Sequence, residues 1–429
     1  MPALVRSPGV VAALGLAMLV LEGSALAAQS FDALHANLVF TLAEGVAYIA
    51  AVALLLRGAP VSLPVVLALA LAFRLMVLFA APFHSTDIYR YVWDGKVQGA
   101  GINPYLHVPN DPALAALRDA AIWPRINRAD YAPTIYPPMA QALFFMVTRV
   151  SASVTGMKLA LVALEGVTAW AILRLLDMAG LPRSRLLVYA WSPLVIWEVA
   201  GAGHVDAAMT AFVAFAVLAR VRDRDGFAGL ALGAAVLIKF LPIVILPAVW
   251  RRWNWTLPAA VVAMLVIGYL PYLGAGWKVL GFLPSYAGEE GLRDGTGFWI
   301  ARLVGRLTGR PIPPILFVCA TGLVMGVLAI AITVKIDERA RPIVGSLVLA
   351  AAGMVALSPV YPWYFVWLVP FLCFVPSPPL LWLTAGGALL YWDDARTVPW
   401  MRDVLFGGAG VLAAAMLVGR FAPTRSGSR

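Results

Sequence analysis

Long apolar runs alternate with short polar segments along most of the chain. A helix needs about 20 apolar residues to cross the hydrocarbon core of a bilayer. Candidate spans lie at 9–29, 37–56, 62–82, 157–178, 186–201, 204–220, 256–273, 312–334, 342–358, 360–375, 379–392 and 403–420. The pattern predicts an all-α polytopic integral membrane protein of about 12–14 transmembrane helices. The first run fits either a cleaved signal peptide or a retained span, and both interpretations place residue 30 outside.

Two apolar segments do not fit a simple crossing. Residues 134–150, "TIYPPMAQALFFMVTRV", open on a pair of prolines, and residues 226–250 are interrupted by Lys239 and Pro242. The segments between spans that carry most Lys and Arg are expected to lie in the cytoplasm. They start at residues 57, 181, 220, 251 and 335. Only one crossing can then occur between the outer end of span 62–82 and the cytoplasmic segment at residue 181. Residues 134–150 must therefore form an interfacial or re-entrant helix on the outer side. Residues 226–250 must enter the membrane and return on the same side as two half-helices. A break in a helix at that depth is tolerated where the backbone lies against protein or a water-filled cavity.

This topology predicts one transmembrane domain over residues 1–429 with two large extracytoplasmic loops. The first loop, residues 83–156, contains interfacial helices, and the second covers residues 274–311. Most of the unusual polar residues lie in these loops or in short outer turns. The outer face is therefore where chemistry is expected.

Composition agrees with a membrane protein and narrows the function. Of 429 residues, 62% are hydrophobic and 13% charged, against roughly 25% charged residues in soluble domains. The net charge of +10 follows from basic segments at membrane boundaries, so nucleic acid is not expected as a partner. The two cysteines and four histidines show no disulfide or metal-ligand spacing. No nucleotide-binding glycine motif is present.

The stretch "HSTDIYRYVWDGKVQ", residues 84–98, follows a candidate span directly. Asp87, Tyr91, Asp94 and Gln98 have the spacing of one stripe along a helix. This spacing predicts an amphipathic interfacial helix whose carboxylates face a cavity. Two simpler interpretations stay open: Asp87 caps the helix, and Arg90 pairs with Asp94 at the i, i+4 spacing.

Two further candidates lie near span ends. His204 and Asp206 belong to the turn "GAGHVDAAM", where ionisable residues at a membrane edge indicate a functional site; an ordinary surface turn is the alternative. Lys239 lies in the interrupted segment and needs an anionic partner, because a charge inside a span costs roughly 2.5–3.5 kcal/mol. A ligand phosphate would supply that partner, whereas a lysine that reaches to the interface would be structural.

The second outer loop contains "PSYAGEEGLRDGTGFW", with Arg293 among its charges. Such a loop suits a mobile lid over a site, and a solvated loop is equally consistent. The segment "SPVYPWY" places Tyr361, Trp363 and Tyr364 at the outer surface. These rings fit either an aromatic belt at the interface or a platform for sugar faces.

These motifs together resemble a known superfamily. An aspartate in the first large outer loop, "YPP" opening a surface helix, a "GHxD" turn and a late lysine resemble the GT-C glycosyltransferases. "DIYRYVWDGKVQGAGINPY", with "PTIYPPMAQ" and "GHVD", is similar to bacterial polyprenyl-phosphate-mannose-dependent mannosyltransferases. The resemblance covers the chain from about residue 60 to 400.

The resemblance implies an inverting transfer of a hexose, with mannose favoured, from a polyprenyl-phosphate-linked donor to a lipid or glycan acceptor. It implies that Asp87 is the catalytic base and that Asp94, His204 and Asp206 support it in the cavity. No cofactor or metal is expected. Further substrate contacts are expected from the stripe, the cations near the phosphate and the aromatic rings, namely Arg90, Tyr91, Lys239, Arg293, Tyr361, Trp363 and Tyr364, with Arg125 and Arg128 as additional cations.

A transporter or flippase of lipid-linked sugars is the main alternative. Transporters tend to have repeated halves with matching broken helices, and this sequence has no second copy of "DIYRYVWDG" or of the interruption at Lys239. A polymerase or ligase that uses polyprenyl diphosphate donors is the second alternative. For the favoured function, the protein is expected in the bacterial inner (plasma) membrane, in contact with membrane lipids, with its active site on the extracytoplasmic side.

Overall fold

Fifteen α-helices of seven or more residues, α1–α15, account for most of the chain that the computed structural model describes, residues 9–392 and 400–421. No strand occurs in those two ranges. The helices are α1 Val10–Ser30, α2 Leu34–Leu56, α3 Leu63–Leu78, α4 Asp87–Gly99, α5 Pro138–Val150, α6 Val154–Met178, α7 Asp206–Val221, α8 Asp225–Val236, α9 Thr256–Tyr269, α10 Leu283–Glu289, α11 Trp299–Thr308, α12 Pro314–Lys335, α13 Arg341–Leu357, α14 Pro378–Ala385 and α15 Trp400–Phe421.

Six helical runs in the described ranges are long and apolar enough to cross a membrane. Five are the helices α1, α2, α6, α12 and most of α15. The sixth is the run Thr256–Glu289, which contains α9 and α10 and is interrupted at Gly276 and Gly281, where φ is positive. The protein is therefore an all-α polytopic membrane protein, as the hydropathy pattern predicts.

Other predicted spans form shorter helices or broken runs of helix. Residues 186–201 form a turn of helix, then Pro193–Val195 and a π-helix at Ile196–Gly201. Residues 360–375 form a 3₁₀ helix, Pro362–Leu368, and a further turn, Val369–Leu372. Each break comes at a proline, which lacks the N–H that a continuous helix needs.

The interrupted segment 226–250 has the break that its sequence predicts. Helix α8 ends at Val236, and the chain resumes as a 3₁₀ helix, Leu241–Ile245, followed by the short helix Leu246–Val249. Lys239 lies in the non-helical connection between them. The lysine is thereby placed beside backbone that is not part of a regular helix.

Helix α5 contains 13 residues and measures only about 20 Å, which is shorter than the hydrocarbon core. It packs along α4, and α4 also packs against α6. Gly95 permits this approach, because a Cβ there would overlap the carbonyl oxygen of Phe144 on α5. The length of α5 is consistent with the interfacial or re-entrant helix that the sequence predicts for residues 134–150.

Helix α4 differs from its predicted form. The sequence predicts an amphipathic surface helix, but nine of its 13 residues are buried, including Tyr91 and Asp94 on the polar stripe. Neighbouring protein, mainly α5 and α6, surrounds the helix where lipid and a cavity were expected. The polar stripe is therefore a packing surface over part of its length.

Candidate active site

A cavity of about 510 Å³ lies where the predicted polar segments converge. Five parts of the chain contribute to its wall, all of them loops, helix ends or broken helix, at residues 83–90, 127–137, 238–241, 282–297 and 354–364. The cavity thus joins the loop at residues 83–156, the interrupted segment, the loop at residues 274–311 and the aromatic segment. A site of this kind, apolar with a few convergent polar groups, is the usual form of a ligand pocket.

Asp87 is the first residue of α4 and lines the cavity. Its carboxylate Oδ1 accepts a hydrogen bond of 2.9 Å from the side-chain amide of Asn127. The helix has no side-chain cap at its N-terminal residue Thr86; instead Ser85 Oγ accepts from the Asp87 N–H at 3.2 Å. Asp87 therefore does not cap its own helix, and its side chain belongs to the cavity wall.

Two other stripe residues, Tyr91 and Asp94, lie outside the cavity wall. Asp94 is 1% exposed, and its two oxygens accept from Arg90 Nε at 2.8 Å and from Gln141 Nε2 at 2.9 Å. The Tyr91 ring stacks on Phe144 at 4.6 Å. Both side chains pack against α5 behind the cavity wall, and their expected contact with substrate stays a prediction. Arg90 itself lines the cavity.

The loop at residues 274–311 contacts the loop at residues 83–156 through Glu289. Arg128 Nε donates to Glu289 Oε2 at 2.7 Å, and the Tyr131 hydroxyl donates to Glu289 Oε1 at 3.2 Å. Burial alone would lower the pKa of Arg128, but the hydrogen bond and the charge of Glu289 raise it above its ordinary value. Arg293 is exposed away from the cavity and donates to the carbonyl of Pro284. Its expected contact with substrate is not supported.

Arg125 also lies off the cavity wall. Its guanidinium is 5.6 Å from the centre of the Tyr89 ring. Of the cations proposed from the sequence, the cavity is therefore lined by Arg90, Arg128 and Lys239.

Lys239 lines the cavity and has a buried partner behind the wall. Its ammonium donates to Asp206 Oδ2 at 2.6 Å and lies 4.8 Å from the centre of the Tyr364 ring. Asp206 begins α7 and is fully buried. The turn before it fits under α4 because Gly203 has φ of +77° and a Cβ there would overlap the Ile88 side chain. Asp206 lies behind the cavity wall, and its expected supporting role stays a prediction.

The aromatic segment forms a stack with the histidine of the same turn. The rings of Tyr361 and Trp363 lie 4.3 Å apart at 8°, and those of Trp363 and His204 lie 4.0 Å apart at 22°. Two rings cannot both lie parallel and this close on one face of Trp363, so they cover opposite faces. His204 is 1% exposed and lies behind the wall, whereas Tyr361, Trp363 and Tyr364 line the cavity.

The cations and the aspartate on the wall differ in their partners. Each of the three cations forms an ion pair with a carboxylate. Asp87 is held by the amide of Asn127, and in the described ranges it forms no ion pair. Its carboxylate is therefore available to accept a proton from a bound group. No group of three His, Cys, Asp or Glu side chains suited to a metal ion occurs in those ranges.

Two functional candidates were missed in the sequence. Asn127 holds the carboxylate of Asp87, and Gln141 joins Asp94 to Gln98, whose amide donates to Gln141 Oε1 at 2.8 Å. Amide side chains that follow no helical stripe give no periodic signal. Only the folded chain shows which carboxylate each of them contacts.

Comparisons with known proteins show the family to which the chain belongs. Residues 7–256 match the family model described as "Alpha-(1->6)-mannopyranosyltransferase, N-terminal domain". Alpha-(1->6)-mannopyranosyltransferase A of Corynebacterium glutamicum is 28% identical over 183 residues, which cover 41% of this chain and 36% of that relative. The chain thus aligns with about a third of the relative's length. Because the family model matches more than half of the chain, the protein belongs to the alpha-(1→6)-mannopyranosyltransferase family.

Proposed function

We propose that the protein is a membrane glycosyltransferase that moves a mannosyl group from a polyprenyl-phosphate-linked donor to an acceptor hydroxyl. The reaction takes place at the extracytoplasmic face of the bacterial plasma membrane. Family membership supports mannosyl transfer. The observation that carries the proposal is the cavity, whose wall contains both Asp87, a carboxylate that forms no ion pair within residues 9–392 and 400–421, and a lysine, Lys239.

Asp87 acts as the general base in this proposal. The acceptor oxygen attacks the anomeric carbon while Asp87 takes its proton, and the bond from that carbon to the phosphate oxygen breaks. The polyprenyl phosphate leaves with the bonding electrons, and a single displacement inverts the anomeric configuration. A base placed in this way contributes about 10²–10⁴-fold to the rate. Asn127 occupies Oδ1, which leaves Oδ2 to receive the proton.

Lys239 stabilises the leaving phosphate. Negative charge grows on the phosphate as the bond breaks, so a fixed ammonium beside it favours the transition state over the ground state. The cavity wall also contains apolar side chains, which suit the first isoprene units of the donor. They are Ile238, Phe240, Leu241, Met354 and Leu357.

Tyr361 is the ring that we assign to the sugar. Aromatic faces pack against the C–H groups of a pyranose, and Tyr361 lines the cavity. Trp363 has both faces covered by Tyr361 and His204, so it supports Tyr361 from behind. Replacing Tyr361 changes the wall of the cavity, whereas replacing Trp363 changes what holds that wall in place.

The test is mass spectrometry of lipid-linked sugars and envelope glycans in cells with and without the protein. We expect the deletion to accumulate mannosylated polyprenyl phosphate and to lose a mannose-containing glycan. Wild type should restore the glycan, and Asp87→Asn, produced at the same level, should not. Donor trapped on the inner leaflet would instead identify a flippase and overturn the proposal.

The outer location of the cavity predicts a labelling pattern. Ala152 is exposed between α5 and α6, so Ala152→Cys should react with an impermeant thiol reagent added outside. The background is Cys319→Ala, because Cys319 is exposed and Cys373 is buried. Arg222→Cys, in a basic segment, is the control and should react only after the membrane is opened. Labelling of Ala152→Cys from the cytoplasmic side alone would mean that α5 crosses the membrane.

A further inference from the structure

Asp206 is buried behind the cavity and its contact with Lys239 crosses the wall. The side chain of Asp206 is 0% exposed and that of Lys239 is 15% exposed. Their 2.6 Å contact joins the first turn of α7 to the break after α8, two elements 33 residues apart in the chain. The lysine is thus held at a defined depth although its own backbone segment is irregular.

Lys239 lines the cavity, and its side chain is only partly covered by protein. A lysine ammonium has three N–H donors, and Asp206 takes one of them. The centre of the Tyr364 ring lies 4.8 Å from the ammonium, within the range of a cation–π contact. In the described ranges no other oxygen accepts a hydrogen bond from this group. The remaining donors suit an anion on the cavity side.

The ammonium of a lysine is carried on a flexible four-carbon stem, so it makes a poor phosphate site unless a second side chain holds it in place. Asp206 does this from the side opposite the ligand, and it also supplies the counter-charge that a buried ammonium needs. We propose that Asp206 is a positioning residue, which places the Lys239 ammonium to bind the phosphate of the polyprenyl lipid without touching that lipid. The inference rests on the proposed function for the identity of the lipid.

The test measures binding and needs no turnover. Farnesyl phosphate is the probe, and farnesol, which lacks the phosphate, reports contacts of the chain alone. We expect Asp206→Asn to raise the Kd for farnesyl phosphate about tenfold, the usual effect of losing a charged hydrogen-bond partner. Asp206→Glu keeps the charge and should stay within about threefold of wild type. Neither variant should change the Kd for farnesol.

A double-variant cycle separates positioning from a general structural role. In a Lys239→Met background, adding Asp206→Asn should change the Kd for farnesyl phosphate less than about twofold, because the lysine through which Asp206 acts is gone. This double variant removes both charges together, so it is expected to fold even if Asp206→Asn alone does not. The thermal midpoint of each variant in detergent reports folding.

Three results would overturn the inference. One is a full tenfold loss from Asp206→Asn in the Lys239→Met background, and another is an unchanged Kd in well-folded Asp206→Asn. The third is wild-type protein that binds farnesol as well as farnesyl phosphate. Failure of the proposed function looks different: wild type would show the expected binding pattern while cells with and without the protein have the same mannosylated lipids and glycans.

Discussion

Asp87→Asn is expected to lower mannosyl transfer by about 10²–10⁴-fold, the contribution typical of a general base. The substitution keeps the size of the side chain, and its amide oxygen can still accept from Asn127, which holds Asp87 in the wild type. It removes the group that receives the proton of the acceptor. The loss should appear in kcat, measured as the initial rate of product formation at saturating donor.

Asp111→Asn is the matched control for this experiment. Asp111 lies in the same outer loop but away from the cavity, and its carboxylate contacts His107 at 2.7 Å. We expect it to retain nearly full activity. If Asp87→Asn also retained activity within about threefold of wild type, a different group would have to accept the proton. Unchanged thermal midpoints would show that both variants are folded.

Asp94→Ala is expected to destabilise the protein by about 3–5 kcal/mol, the cost typical of breaking a buried ion pair. Its partner Arg90 is 5% exposed and would lose its carboxylate, although it would keep a bond of 3.1 Å to the carbonyl of Ala132. Gln141 would lose an acceptor as well. The free energy of unfolding by denaturant in detergent micelles measures the effect.

Asp94→Asn serves as the milder comparison. Its amide retains an oxygen and the shape of the carboxylate, so it should cost less stability than alanine. An Asp94→Ala protein that kept full stability but lost donor binding would contradict the packing role seen in the structure. That result would return Asp94 to the substrate-contacting role that its helical spacing first indicated.

The features that could be predicted from the sequence are those that a short stretch determines by itself. Apolar runs of sufficient length predict spans such as α1 and α12, and a proline predicts the interruption near Lys239. The position of Asp87 just after an apolar run likewise placed it beside a membrane boundary. None of these inferences needs the identity of a distant neighbour.

The features that could not be predicted depend on residues far apart in the chain. Helical spacing showed that Asp94 and Tyr91 share one face of α4, but not that α5 would cover that face. The sequence indicated that Lys239 needs an anionic partner. It did not indicate that Asp206 is that partner. The stacking of the His204 ring on Trp363 likewise brings together two residues more than 150 positions apart in the chain.

Residues 128–134 and 282–289 meet to form the roof of the cavity. This roof affects how donor, acceptor and products enter and leave. It is closed by the bond from the Phe282 N–H to the Thr134 carbonyl and by the pair Arg128–Glu289, whose side chains are each 26% exposed. A pair with this much access to water contributes about 1 kcal/mol or less. Under the proposed function, parting this ion pair costs little free energy compared with the barrier to glycosyl transfer, so the pair itself is a weak restraint on the passage of donor and products.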